Sequence, residues 1–269
     1  MNRPLTEPAP RPPSVDPSSL GPRAAREWRR RWDVQQAGGV ADREERFEAM
    51  LRILGAAVGP RFRFLDLGAG TGSLSERILR RFPGARGVAL DFDPVLSKIG
   101  RIGLSDFDRR LRWVDADLRS RSWVRALPPG RFDAVVSSTA LHWLTGPELR
   151  RLYVSIAARL RARGLFLNAD WIAYPRAQRR LAGISRRAGP RRADARKWHE
   201  SWDEWWRKVE QEPALAAEVV LRRRRFPHAH EGTSTPDEAG HRAGLRAAGF
   251  REVGVVWSHR EYRVLAALR

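Results

Sequence analysis

Apolar positions along the chain alternate between two spacings, and the alternation predicts the order of elements. Short apolar runs at 62–67, 87–90, 111–114, 132–137 and 165–168 read as strands buried on both faces. Between them, apolar residues recur at helical spacing. Phe47, Leu51 and Leu54 share a face of a helix expected over 42–54, and Leu149, Leu152, Ile156 and Leu160 share a face of one over 147–160. An earlier helix is expected over 24–32, and one over 73–82 should stop at Pro83-Gly84. Asp93 followed by Pro94 suits the cap and first position of a further helix. Strands that alternate with helices give an α/β fold with a parallel sheet. The closely joined runs at 253–257 and 262–267 should pair antiparallel at its end.

One stretch breaks this rhythm. Residues 174–240 are too many for a loop and should form a helical cap. Within it Trp198, Trp202, Trp205, Trp206 and Val209 recur at helical spacing. Such a face either packs the insertion onto the core or lines a pocket as a lid, and both roles can hold together.

The chemistry concentrates where the first strand ends. Phe64-Leu-Asp66-Leu-Gly68-Ala69-Gly70-Thr-Gly72 runs from a strand through a glycine turn into a helix, and Asp91 closes the next strand. Glycines let the backbone turn tightly and approach a ligand, while the helix start offers unpaired N–H groups. A carboxylate at the second strand end can accept from both ribose hydroxyls. This layout suits a dinucleotide or S-adenosylmethionine (SAM). Two details favour SAM: the glycines lack the G-x-G-x-x-G spacing that seats a pyrophosphate, and Asp66 would repel a pyrophosphate but can accept from an amino group.

The ordered series of segments resembles the class I SAM-dependent methyltransferases. After the glycine turn come Leu90-Asp91-Phe92-Asp93-Pro94, Val114-Asp115-Ala116-Asp117-Leu118, the run 132–144 ending in Ala140-Leu141-His142-Trp143-Leu144, Gly164-Leu165-Phe166-Leu167-Asn168 and Leu245-Arg246-Ala247-Ala248-Gly249-Phe250. The resemblance covers nearly all the chain from about residue 40. It implies a Rossmann-like seven-stranded sheet, mostly parallel with an antiparallel last strand, helices on both faces and a helical lid insertion. It also implies that Asp91 binds ribose, that Phe92 packs on adenine, and that Asp117, better placed than Asp115, accepts from the adenine amino group beside Leu118. Arg46, in preference to Arg43, is expected on the methionyl carboxylate, and Ser137 at the cofactor edge. Absence of an Asn/Asp-Pro-Pro-Tyr segment after the fourth strand points away from base amines, and the resemblance is to the branch that acts on small molecules. Their acceptors include acids, phenols and other metabolites. His142, Trp143, Trp171 and Tyr174 are then expected to face the acceptor. His142 is the candidate general base, its plainer reading being a positioning or packing histidine beside Trp143.

Composition changes the picture little. The 269 residues suit one α/β domain over 24–269 after a disordered Pro/Arg-rich tail over 1–23. The tail lacks an apolar signal core, no run is apolar enough for a membrane span, and a cytoplasmic enzyme is expected. The absence of cysteine excludes disulfides, thiolate metal sites and thiol nucleophiles. The remaining histidines form no metal-like set. A net charge of +20 would ordinarily suggest nucleic acid, but it is carried almost wholly by arginines spread along the chain, apart from local runs at 191–192 and 222–225. Solvated faces are the expected reading, with a small molecule rather than nucleic acid as partner.

Overall fold

The computed structural model describes residues 19–40, 42–188, 200–227 and 235–269. The proposed tail up to residue 18, Trp198 and the histidines at 199, 228 and 230 lie outside the described residues. Among the described residues a seven-stranded sheet has the order β3-β2-β1-β4-β5-β7-β6. β1 (Arg63–Leu67), β2 (Arg86–Asp91), β3 (Leu111–Asp115), β4 (Phe132–Ser138) and β5 (Leu160–Trp171) run parallel. β7 (Tyr262–Leu268) is antiparallel to both β5 and β6 (Glu252–His259).

Each parallel strand is apolar on both faces because helices cover both. On one face α2 (Arg43–Val58) and α3 (Ser73–Arg81) bury Phe47, Met50, Leu54 and Ile78 against Phe64, Ala89, Val136 and Leu167. On the other, α5 (Gly146–Arg159) and α9 (Glu238–Ala247) bring Leu152, Ile156 and Leu245 onto Leu65, Val135, Phe166 and Leu265. Full burial of each such side chain is worth about 1.5–3 kcal/mol, and this patterning fixes the strand register. β1 turns at Gly68, and its order next to β4 makes the β1/β4 boundary the switch point at which open α/β sheets bind ligands.

The cap sits over that end of the sheet. α1 (Pro22–Gly39) starts at Pro22 and continues well past the expected end at 32, because Gly21 lies extended before a proline at the first position and Gln35 stays buried in the final turns. Residues 22 and 23, expected in the tail, belong to this helix. α4 (Pro94–Gly103) is capped by Asp93, which accepts from Val95 N–H at 2.9 Å and Leu96 N–H at 3.2 Å. Upon α1 and α4 lie α7 (Trp202–Glu210) and α8 (Ala216–Arg225), with α6 (Arg179–Ala188) between β5 and α7 in sequence. Trp205 is fully buried, meeting Trp28 at 5.6 Å and Trp32 at 4.9 Å between ring centres. Trp202 and Trp206, which also meet Trp32, line a cleft beside it. The tryptophan face thus divides between packing and lining.

Candidate active site

Three glycines in the turn after β1 have positive φ: Gly68 at +66°, Gly70 at +57° and Gly72 at +80°. A Cβ on Gly68 would stand 2.3 Å from Cβ of Ala140, and one on Gly72 would stand 2.7 Å from Leu104, so both also lack room. Gly70 has no such neighbour: its backbone is left open to the cleft and its N–H donates to Oδ2 of Asp91 at 2.6 Å. Oδ1 of Asp91 accepts from Asp93 N–H at 2.7 Å. Burial pushes Asp91 up to about 6, although these backbone donors oppose it. The two bonds fix the carboxylate in place, and each oxygen keeps accepting capacity for a ligand.

Asp66 lines the same cleft. Burial raises its carboxyl to about 7 against the 2.7 Å hydrogen bond from Ser75 Oγ, and neighbouring Asp91 adds to the rise. A cation placed here would restore the charge that burial disfavours. The cleft encloses about 880 Å³, enough for a nucleoside-sized ligand and a second small molecule.

Of the other expected residues, Ala69, Phe92, Asp117, Leu118, His142 and Trp143 also line the cleft. Asp117 caps its own loop, accepting from Arg119 N–H and Nε, each at 2.9 Å. Phe92 lies beneath the Arg225 guanidinium at 4.6 Å. Ser137 does not reach the cleft: it is buried on the α5 face and donates to Leu67 O at 2.8 Å, while Ser138, on the opposite face, lines it. Gly72 serves as the start of α3 and packs near Trp113. Trp171 and Tyr174 also stand outside the wall, because β5 runs past the expected end at 168 and carries them beyond it. Trp171 is exposed, and Tyr174 packs under Arg263 at 3.9 Å.

Of the two candidate arginines, Arg43 lines the cleft and Arg46 lies behind its wall. Arg46 is fully buried behind the wall, donating from Nη2 to Thr139 Oγ1 at 2.8 Å and Ser138 Oγ at 3.3 Å, with burial lowering it to about 10. It braces a turn in which Thr139 has φ of +55°. Arg43 is the one on the wall. It is paired at 2.9 Å with Asp33 of α1, which also accepts from Ser73 Oγ at 2.5 Å. Burial would raise Asp33, but Arg43, Arg77 and Ser73 outweigh it and hold the carboxyl below its ordinary value.

Sequence reasoning missed two features. Asp170, 1% exposed at the end of β5, accepts from Nδ1 of His142 at 2.8 Å and from its backbone N–H at 3.1 Å. Its parity with Asn168 on a strand extended by two residues would have found it. The arginine run of α8 is also only half solvated: Arg223 and Arg224 are exposed, whereas Arg222 and Arg225 are partly buried. Arg222 donates to Asp93 at 2.6 Å, and Arg225 makes a two-pronged pair with Asp115 at 2.7 Å on each prong and donates to Phe92 O at 2.7 Å. These bonds tie the cap to the loops after β2 and β3. Helical sequence spacing carries no signal for such partners.

The family described as a methyltransferase domain matches residues 64–164, the span from β1 to β5. The chain is 37% identical to a malonyl-[acyl-carrier protein] O-methyltransferase of Halorhodospira halophila over 39% of this chain and 33% of that protein. It is 29% identical to a trans-aconitate 2-methyltransferase of Azoarcus over 50% of this chain and 48% of that one. The chain thus spans less than half the length of the curated relatives it matches. Among solved structures, magnesium protoporphyrin IX methyltransferase from Synechocystis with bound S-adenosylhomocysteine superposes with a TM-score of 0.54 over 90% of this chain and 92% of that one, at 16% identity. The methyltransferase-domain model thus matches the span from β1 to β5, and the fold of the chain is similar to that of a methyltransferase of known structure.

Proposed function

We propose that the protein is a SAM-dependent methyltransferase acting on a small-molecule acceptor through a carboxylate or hydroxyl group. The observation that carries this reading is the opposition of two carboxylates across the glycine turn: Asp91, pinned by Gly70 and Asp93 N–H groups, and Asp66, buried and raised to about 7. Asp91 suits a ribose diol, and Asp66 suits the ammonium of an amino-acid moiety, whose charge offsets the cost of its burial. A dinucleotide places a pyrophosphate near this turn and would meet Asp66 as a like charge.

When bound, the cofactor would supply an activated methyl group on a sulfonium. The protein's part is chiefly alignment. Phe92, held by Arg225, offers a face for the adenine, with Asp117 and Leu118 at its edge. His142, Trp143 and the cap's Trp202 and Trp206 surround the space left for the acceptor, and the indoles exclude water from it. The pairing of Arg222 and Arg225 with Asp93 and Asp115 engages half of the arginine run of α8 within the protein, which supports a small molecule over RNA. Among the described residues no helix is long and apolar enough to cross a membrane, and this reading places the enzyme in the cytoplasm, in keeping with a cysteine-free chain.

Calorimetric titration with SAM, S-adenosylhomocysteine and NADH tests the cofactor. Micromolar binding of the first two without NADH is expected, and NADH binding alone would overturn the reading of the glycine turn.

A further inference from the structure

The edge of the sheet opposite the cleft carries a second hollow, of about 460 Å³, lined by Arg131, Arg161, Ala162, Gly249, Arg251 and Arg269. Each arginine comes from a different strand end: Arg131 precedes β4, Arg161 is the second residue of β5, Arg251 precedes β6 and Arg269 follows β7. Because β4, β5 and β6 run in one direction and β7 in the other, the starts of three strands and the finish of the fourth meet at this edge. Charges far apart in the sequence are thereby gathered around one concave space.

Two of the four are also held together by the backbone. Leu160 O accepts from Nη1 of Arg131 at 3.0 Å and from Nη1 of Arg269, so both guanidiniums are drawn to a single carbonyl oxygen. The main chain beside them is fixed as well: Arg251 N–H donates to Leu268 O at 2.8 Å, and Arg269 N–H to Gly164 O at 3.1 Å. Arg161 pairs at 2.9 Å with Asp133, the one carboxylate among the described residues that meets any of the four. The arginine run of α8 differs, since Arg222 and Arg225 each have a carboxylate of their own. Like charges brought to one oxygen repel, while a guanidinium that gives one N–H to a carbonyl keeps others to donate. A multiply charged oxyanion meets both conditions, because the planar fork of arginine grips phosphate oxygens in pairs.

We propose that this hollow binds a small ligand through a phosphate or diphosphate group. A nucleic-acid strand needs a basic groove that tracks its backbone, with aromatic faces for the bases, whereas this wall is concave and its lining holds no aromatic ring. The cleft with Asp66 and Asp91 lies beyond the other ends of the strands, so the anion and the cofactor can be bound together. The proposal does not rest on the reading of that cleft.

Calorimetric titration of the full chain with inorganic pyrophosphate and with inorganic phosphate, each with and without S-adenosylhomocysteine, tests this. One site is expected, tighter for pyrophosphate and unaffected by S-adenosylhomocysteine. Arg131→Gln combined with Arg269→Gln should weaken pyrophosphate about tenfold or more, and Arg251→Gln, at an exposed position, about threefold or more. Arg52→Gln combined with Arg151→Gln removes the same charge as the first pair from exposed positions outside the hollow, and should leave affinity within about twofold. Equal losses in the hollow and control variants would reveal diffuse attraction and overturn the site. Displacement of the anion by S-adenosylhomocysteine would put it in the cleft and overturn the site too. Binding of neither anion, or of single-stranded RNA in their place, would overturn the ligand class.

Discussion

Replacing Asp91 with alanine should separate ligand affinity from fold stability. The carboxyl is raised from 3.8 to about 6, so keeping it ionised at neutral pH costs about 3 kcal/mol, which the substitution relieves. Against this, the N–H groups of Gly70 and Asp93 lose their acceptor, at about 1–3 kcal/mol each where water does not replace it. The terms oppose each other, and the net change in unfolding free energy should stay within about 2 kcal/mol. Nothing offsets the loss on the ligand side. Two hydroxyl-to-carboxylate bonds exchanged for water should weaken S-adenosylhomocysteine by about 3 kcal/mol, roughly a hundredfold. Calorimetry at neutral pH gives the affinity and denaturant unfolding gives the stability. Affinity within about threefold of wild type, with the fold intact, would refute the ribose assignment.

Three further outcomes follow from the same structure. Asp66 is raised, so its contribution to stability is fully present below its unfolded value of 3.8 and is lost as pH rises through about 7. The ligand-free protein should therefore melt at a lower temperature at pH 8 than at pH 5, and Asp66→Asn should flatten that slope; an unchanged slope would contradict the burial argument. Trp205→Ala should destabilise by about 3–5 kcal/mol in denaturant unfolding, because the ring is fully buried between Trp28 and Trp32. Trp202→Ala, at a half-exposed position on the cleft, should cost less than about 1 kcal/mol while weakening acceptor binding, and the reverse ranking would assign the two indoles wrongly. Arg225→Ala should cost about 1–2 kcal/mol and speed proteolysis within the cap, since it removes a partly exposed pair with Asp115 and the bond to Phe92 O. Unchanged cleavage would mean that the arginine does not tie down the cap.

The sheet was legible because each parallel strand carries a short apolar run between helical patterns, and the glycine turn because its residues announce positive φ. Asp66, Gly68 and Gly70 were readable because their backbone setting and their chemistry lie in one short segment, and Asp91 because it closes the next strand. What escaped was set by partners distant in sequence. Asp170 meets His142 across 28 positions, and Arg225 meets Asp115 across 110. Arg46 and Arg43 are separated by less than one helical turn, and only packing decides which faces the cleft. The arginine run of α8 looked like solvated charge because helical spacing marks a polar face without saying what lies opposite.

Methyl transfer itself is tested most directly by supplying the purified protein with SAM labelled on its methyl group together with a pool of small carboxylic acids and hydroxyl compounds, and separately with RNA and protein. The account predicts label in low-molecular-mass esters or ethers and none in the polymers. Label in RNA or protein, or no transfer by a protein that binds SAM, would contradict it.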